Sequence, residues 1–262
     1  MIDTTFDLRT DAGGRDPDSY SPTLRRYHQL LWSKPLPGGQ RFDLDATTPN
    51  AYLHHRSALG EFFLASDAVM TTFTGWIAAE PVVSEVPESE IAAFLASVYT
   101  IGGMMIFPGN KIGGKITING ARGFNRRIAD RFDLTLECIR RHYSGGPSPL
   151  DPVLARYGDF FALFGDFRGY VEFFLLDDLV TDDSTVRFFA PFDDFRTSPV
   201  PHSVAEYRDY ARLSITFIGA RNRRIQDWAS RQGLPAGPCL GRHAGPAGSP
   251  RPPPTPISGR GP

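Results

Sequence analysis

The run Asn119-Gly120-Ala121-Arg122-Gly123-Phe124-Asn125-Arg126-Arg127 combines side-chain amides, flexible backbone and arginines where a long charged helix is set to begin. Free backbone N–H groups and guanidinium groups at such a junction are a common way to hold an anion. On a helical projection Arg131 falls on the apolar side, beside Phe124 and Cys138, where an arginine must be paired or face a cavity. Asn119, Arg122, Asn125 and Arg131 therefore form the candidate anion-binding set, against a buried structural ion pair as the plainer account of Arg131. Arg126, Asp130, Asp133, Glu137, Arg140 and Arg141 gather on the opposite face of the same helix. They read as an exposed ladder of pairs such as Glu137 with Arg141, or as carboxylates available for metal or proton chemistry. In His54-His55-Arg56-Ser57 the two histidines sit on or beside a strand and point to opposite faces, so they cannot readily share a metal, and no metal site is assigned. His54 can still act as a general base. His54, Asp130 and Glu137 are thus the candidate catalytic groups.

Three further patterns have a functional and a plain reading. Gly109-Asn110-Lys111-Ile112-Gly113-Gly114-Lys115-Ile116 approaches the phosphate loop GxxxxGK[ST], but Ile116 replaces the hydroxyl residue and Ile116-Thr117-Ile118 continues as a strand, so a hairpin turn is expected. The aromatic series from Tyr157 to Phe174 recurs at three- and four-residue spacing, as the buried stripe of consecutive helices does, and its acidic neighbours argue against base stacking. Arg221-Asn222-Arg223-Arg224 reads as the cationic close of a helix; nucleic-acid phosphate contact is the weaker alternative.

The elements that must position these groups are mixed. Ser21-Pro22 opens a helix to Trp32, short strands are expected at Arg41–Leu44, Ala51–His54 and Glu61–Ala65, and a helix at about Glu88–Ser97. Ile101–Phe107 and Lys115–Asn119 read as a hairpin feeding one helix over about Arg122–Tyr143, which Gly145-Gly146-Pro147 ends. Helices at Leu150–Phe164 and Arg168–Val180, a strand at Val186–Ala190 and a capped helix from Ser203 to about Ser230 complete an α+β domain over residues 1–231. Its small, mainly antiparallel sheet is packed against several α-helices.

Composition sets the outer limits. With 262 residues, 41% hydrophobic and 12% aromatic, the chain can fill a core without disulfides. Cys138 and Cys239 lie in unlike contexts with no CxxC pair, which suits a reducing cytoplasm. The acidic start lacks a signal pattern, and no apolar run approaches the ~20 residues of a membrane span. The net charge is −1, divided between an acidic body and a tail whose charged residues are arginines, which argues against a general nucleic-acid coat. Beyond Gly233 the chain is dense in Gly and Pro, and residues 232–262 read as a disordered tail.

Tyr20-Ser21-Pro22-Thr23-Leu24-Arg25-Arg26-Tyr27-His28, Tyr52-Leu53-His54-His55-Arg56-Ser57, Ile118 through Asn125, and Arg131-Phe132-Asp133-Leu134-Thr135-Leu136-Glu137-Cys138 through Tyr143 together resemble a bacterial family known only as a domain of unknown function. Tyr157-Gly158-Asp159-Phe160-Phe161 through Val180 is similar to the same family's second block. The resemblance covers roughly Ile2 to Trp228 and implies one domain, with no activity or cofactor attached. The residues themselves support a binding or regulatory module for a phosphate-bearing small molecule or nucleotide. A hydrolase or transferase of such substrates is the alternative, and nucleic-acid binding through the last helix ranks third.

Overall fold

The computed structural model describes residues 2–233; the predicted tail from Leu234 onward lies outside them. Short α1 (Pro17–Tyr20) runs into α2 (Pro22–Trp32), which the Ser21 hydroxyl caps by accepting from Leu24 N at 3.0 Å while Pro22 fills the first turn. β1 (Leu53–Ser57) and β2 (Gly60–Ala68) form an antiparallel hairpin in the register Leu53↔Leu64 and Ser57↔Gly60. α3 (Glu80–Val83) and α4 (Glu88–Val98) lead to β3 (Met104–Pro108), which pairs antiparallel with the other edge of β2. The order is β1-β2-β3, and the fold is α+β.

The remaining helices are α5 (Ile118–Phe124), α6 (Phe132–Ser144), α7 (Asp151–Leu154), α8 (Gly158–Ala162), α9 (Phe167–Phe173) and α10 (Val204–Arg231). Ser203 caps α10 through Glu206 N, as its hydroxyl predicts. One cluster of buried apolar residues runs from Ile2 to Ala229, and the aromatic series from Tyr157 to Phe174 lies inside it. Phe164, Tyr170, Phe173 and Phe174 meet at ring-centre distances between 4.9 and 5.3 Å, the range of favourable edge and tilted contacts. Among the described residues no helix is long and apolar enough to cross a membrane.

Two buried polar groups fasten helices to the sheet. Trp32 Nε1 donates to His28 Nδ1 at 3.0 Å, so the ring's remaining proton lies on Nε2 and is donated to Ser66 Oγ, also at 3.0 Å. Burial holds this imidazole neutral by pushing its pKa down to about 3. Arg221, fully buried in α10, donates to Gly102 O at 3.0 Å, Met104 O at 2.8 Å and Phe174 O at 3.1 Å, with no carboxylate among its partners. It thereby joins α10 to β3 and to the end of α9. Loss of solvation lowers its pKa to about 10. Arg221 lies in mid-helix, so the expected dipole role at a helix end does not describe it.

The expected hairpin and continuous helix around residues 101–143 are not formed. Thr117 caps α5 by accepting from Gly120 N at 3.4 Å, which turns Ile118 and Asn119 into helix where β-branched neighbours suggested strand. Seven residues separate α5 from α6, and Ala129 and Asp130 in that turn take left-handed backbone at φ 46° and 60°. Phe124 consequently projects outward, 81% exposed, although the helical projection placed it in the core. The segments read as strands at Arg41–Leu44 and Val186–Ala190 carry only isolated bridges, Pro35 with Arg41 and Val180 with Val186.

Candidate functional site

The two arginines of the predicted anion set stand on either side of the turn between α5 and α6, Arg122 in α5 and Arg131 at the start of α6, and each is buried on its own partners. Arg122, 0% exposed, donates from Nη1 to Asp67 Oδ2 at 2.5 Å and to Ala68 O at 3.2 Å. Nη2 donates to Val69 O at 3.2 Å and Asp130 O at 3.0 Å, and Nε to Thr135 Oγ1 at 3.3 Å. A guanidinium has five N–H groups, and all are committed here. The Asp130 carboxylate adds an ion pair at 3.2 Å. Arg122 therefore ties α5, the end of β2, the left-handed turn and α6 together, and offers no donor to a ligand.

The carboxyls around it carry the electrostatic strain. Burial pushes Asp67 up to about 6 even against the attraction of Arg122, and burial likewise raises Asp130. Asp18 of α1, packed beside the end of β2, is pushed to about 8, first by burial and then by the Asp67 charge. Its Oδ2 accepts from Ala68 N at 3.2 Å, while Oδ1 is buried without a partner. Asn119 occupies the same strand end, its amide donating to Ser66 O at 3.1 Å and its Oδ1 unpartnered.

Arg131 opens a different arrangement. It pairs with Asp133 through two contacts, Nη2 to Oδ2 at 2.5 Å and Nε to Oδ1 at 3.1 Å, the fork geometry that makes arginine specific for carboxylates. Nη1 donates to Pro199 O at 3.2 Å and Nη2 to Ala190 O at 3.4 Å, while Asp133 Oδ2 also accepts from Phe189 N at 2.9 Å. The pair thus pins an irregular stretch at positions 189, 190 and 199 against the start of α6. That stretch and the first turns of α10 enclose a cleft of about 570 Å³ with Arg131 in its lining. Phe73, Phe188, Pro191 and Leu213 make its walls apolar, and the Tyr210 hydroxyl, without a hydrogen-bond partner, belongs to a buried residue of the same lining. Four guanidinium N–H groups are used and one on Nη1 is left. The mouth carries charges of both signs, including Arg212 paired with Asp209 and His202 near Glu206.

The other predicted residues lie on separate partners. Asn125 donates to Pro149 O at 3.2 Å and accepts from Arg127 N at 2.9 Å, a local turn that helps end α5. Glu137 is held by Arg140 and Arg141 at 2.8 and 2.7 Å, as the ladder predicts for Arg141, although the glutamate is only 3% exposed. Burial pushes its pKa up, and the two arginines' hydrogen bonds outweigh this, for a net lowering. On β1, His54 contacts Thr48 Oγ1 at 3.1 Å and Glu61 Oε1 at 2.9 Å. His54, Asp130 and Glu137 share no partner.

Sequence reasoning missed Asp133 as the partner of Arg131, because it placed Asp133 on the solvent face of a single long helix. It also missed the Phe188–Pro201 wall, whose signal is a run of aromatics and prolines with no helical or strand period. Helices around a three-stranded antiparallel sheet, with a cleft beside a buried Arg–Asp pair, define an α+β protein. A family profile described as a family of unknown function (DUF6994) matches residues 2–225, and the chain belongs to that family. Comparison with curated proteins and with solved structures gave no match.

Proposed function

We propose that the protein is a small-molecule-binding module whose ligand occupies the cleft between the Phe188–Pro201 segment and α10. The carrying observation is the cleft itself, about 570 Å³, within the range of small-molecule pockets, lined by aromatic and proline side chains with Arg131 and Tyr210 as its polar anchors. The chemistry of the lining selects the ligand. A phosphate group asks for several donors, whereas of the two buried arginines Arg131 keeps one N–H after pairing with Asp133 and Arg122 keeps none, the cleft's other donors, Thr197, Ser198, His202 and Arg212, standing apart from that buried end. The ligand that fits is mostly apolar with a single acceptor group, such as an aromatic carboxylate, whose oxygen meets the remaining Arg131 N–H and the Tyr210 hydroxyl. This reading departs from the phosphate-bearing small molecule or nucleotide expected from the sequence.

A thermal-shift screen of aromatic carboxylates beside nucleotides and sugar phosphates tests the reading, with Leu213→Trp as a variant that fills the cleft from its wall. A carboxylate at a hundredfold excess over Kd adds about 2.7 kcal/mol of stability. The expected result is stabilisation by carboxylates that Leu213→Trp removes without lowering the ligand-free Tm. Stabilisation by phosphates alone, by no compound, or equally in the variant overturns it.

A further inference from the structure

Lys34, just beyond the end of α2, lines a recess of about 340 Å³ with Pro35, Leu36, Pro37, Phe173, Leu175 and Trp228, which shares no lining residue with the Arg131 cleft. Its backbone is fixed at both ends, N–H donating to Trp32 O at 2.9 Å and C=O accepting from Phe42 N at 3.0 Å. Its Nζ stands 5.0 Å from the ring centre of Trp32, 4.6 Å from Phe173 and 5.2 Å from Trp228. Glu172 lines the recess but is paired with Arg168. Asp177, whose charge also reaches Lys34, is paired with Arg168 and Arg224. The fully buried Arg221 packs over Trp32 as well, its guanidinium carbon 5.8 Å from the ring centre, and brings a like charge close. The three rings attract the ammonium form, but burial in an apolar recess beside another cation, with the local carboxylates engaged elsewhere, favours the neutral amine and is an arrangement that turns lysine into a nucleophile.

We propose that Lys34 is a carbonyl-reactive amine that forms an imine with apolar aldehydes or ketones entering this recess. The neutral nitrogen adds its lone pair to the carbonyl carbon, and a proton passes from nitrogen to the oxygen to give a carbinolamine. Loss of that hydroxyl as water, with the second proton from nitrogen, leaves the C=N bond; no oxidant or reductant is consumed. Burial, reinforced by Arg221 and opposed by Asp177, lowers the lysine pKa to about 7, which supplies the uncharged amine near neutral pH. The aromatic rings and prolines around Nζ suit an apolar carbonyl compound over a charged one.

The chain contains three lysines, and Lys111 and Lys115 are exposed, so each molecule carries its own controls. The full chain is treated with benzaldehyde and cyanoborohydride, which reduces any imine to a stable secondary amine, and each lysine's modification rate is read by peptide mass mapping from pH 6 to 10. Lys34 is expected to react about tenfold faster than Lys111 and Lys115 at pH 7, with the gap closing toward pH 10 as the exposed amines lose their protons. In urea the three rates are expected to converge. A Lys34 rate at pH 7 equal to or below those of the exposed lysines overturns the proposal, as does a preference that survives unfolding.

Discussion

Arg122 and Arg131 stand nine positions apart on either side of one turn, and both are buried, yet they end in opposite roles. Arg122 is surrounded by Asp67, Asp130 and backbone carbonyls until every N–H is spent. Arg131 meets one carboxylate in fork geometry, holds two loop carbonyls and keeps a donor beside a cleft. A buried arginine is first a staple, because its charge has to be neutralised before it can be taken out of water. What it can offer a ligand is the remainder, set by how many carbonyls the surrounding chain happens to direct at it.

The largest effect expected from breaking this contrast is at the closed centre. Arg122→Met leaves Asp67 and Asp130 without their buried partner, and the loss in denaturant-derived stability should reach at least the ~3–5 kcal/mol typical of stripping one side from a buried pair. Arg131→Met should cost about 3–5 kcal/mol by the same measurement, since Asp133 stays buried. Adding Asp133→Leu should recover part of that loss, because two apolar groups leave no stranded charge. The cleft should nonetheless lose ligand binding, as positions 189, 190 and 199 are no longer pinned.

A smaller effect distinguishes the two centres by pH. The Asp18 carboxyl rises from 3.8 to about 8 on folding, so the folded state holds a proton that the unfolded chain releases. The contribution of this group to stability should therefore be greatest below pH 4, fall as pH rises toward 8 and level off beyond it. Asp18→Asn keeps the acceptor for Ala68 N and should flatten this fall, gaining about 1–3 kcal/mol at pH 8 in urea unfolding curves. A parallel fall in the variant would assign the pH dependence elsewhere. The smallest effect belongs to Glu137, whose lowered pKa adds stability above the usual carboxylate range that is lost as pH falls through the folded value. Glu137→Gln should cost about 0.5–1.5 kcal/mol at pH 7 and leave stability near pH 2 unchanged.

Much of the fold was legible. The Ser21-Pro22 and Ser203 helix starts and the Gly145 stop with φ of 70° are local signals and stand where those signals put them; the apolar stripe from Tyr157 to Phe174 is buried as its period predicts, but short α7, α8 and α9 stand in place of the two longer helices expected at Leu150–Phe164 and Arg168–Val180. The predicted site was legible only in parts. Arg131 was marked by its place among apolar side chains, a property of its own helix. Its partner was hidden by the turn at Ala129 and Asp130, which cuts the expected helix and re-aims every side chain before it, Phe124 included.

The sequence by itself determined the capped helix starts, the α+β class, the aromatic core and the need for Arg131 to be paired, because capping, periodicity and desolvation act through near neighbours. Only the tertiary structure decided which distant carboxylate met Arg122 and which loop carbonyls met Arg131. Asp67 and Arg122 are separated by 55 positions, and the loop carbonyls of Ala190 and Pro199 lie 59 and 68 positions from Arg131. Nothing local fixes such distances; they follow from how the sheet, the left-handed turn and α10 pack, and that packing leaves one arginine sealed and the other beside an open cleft.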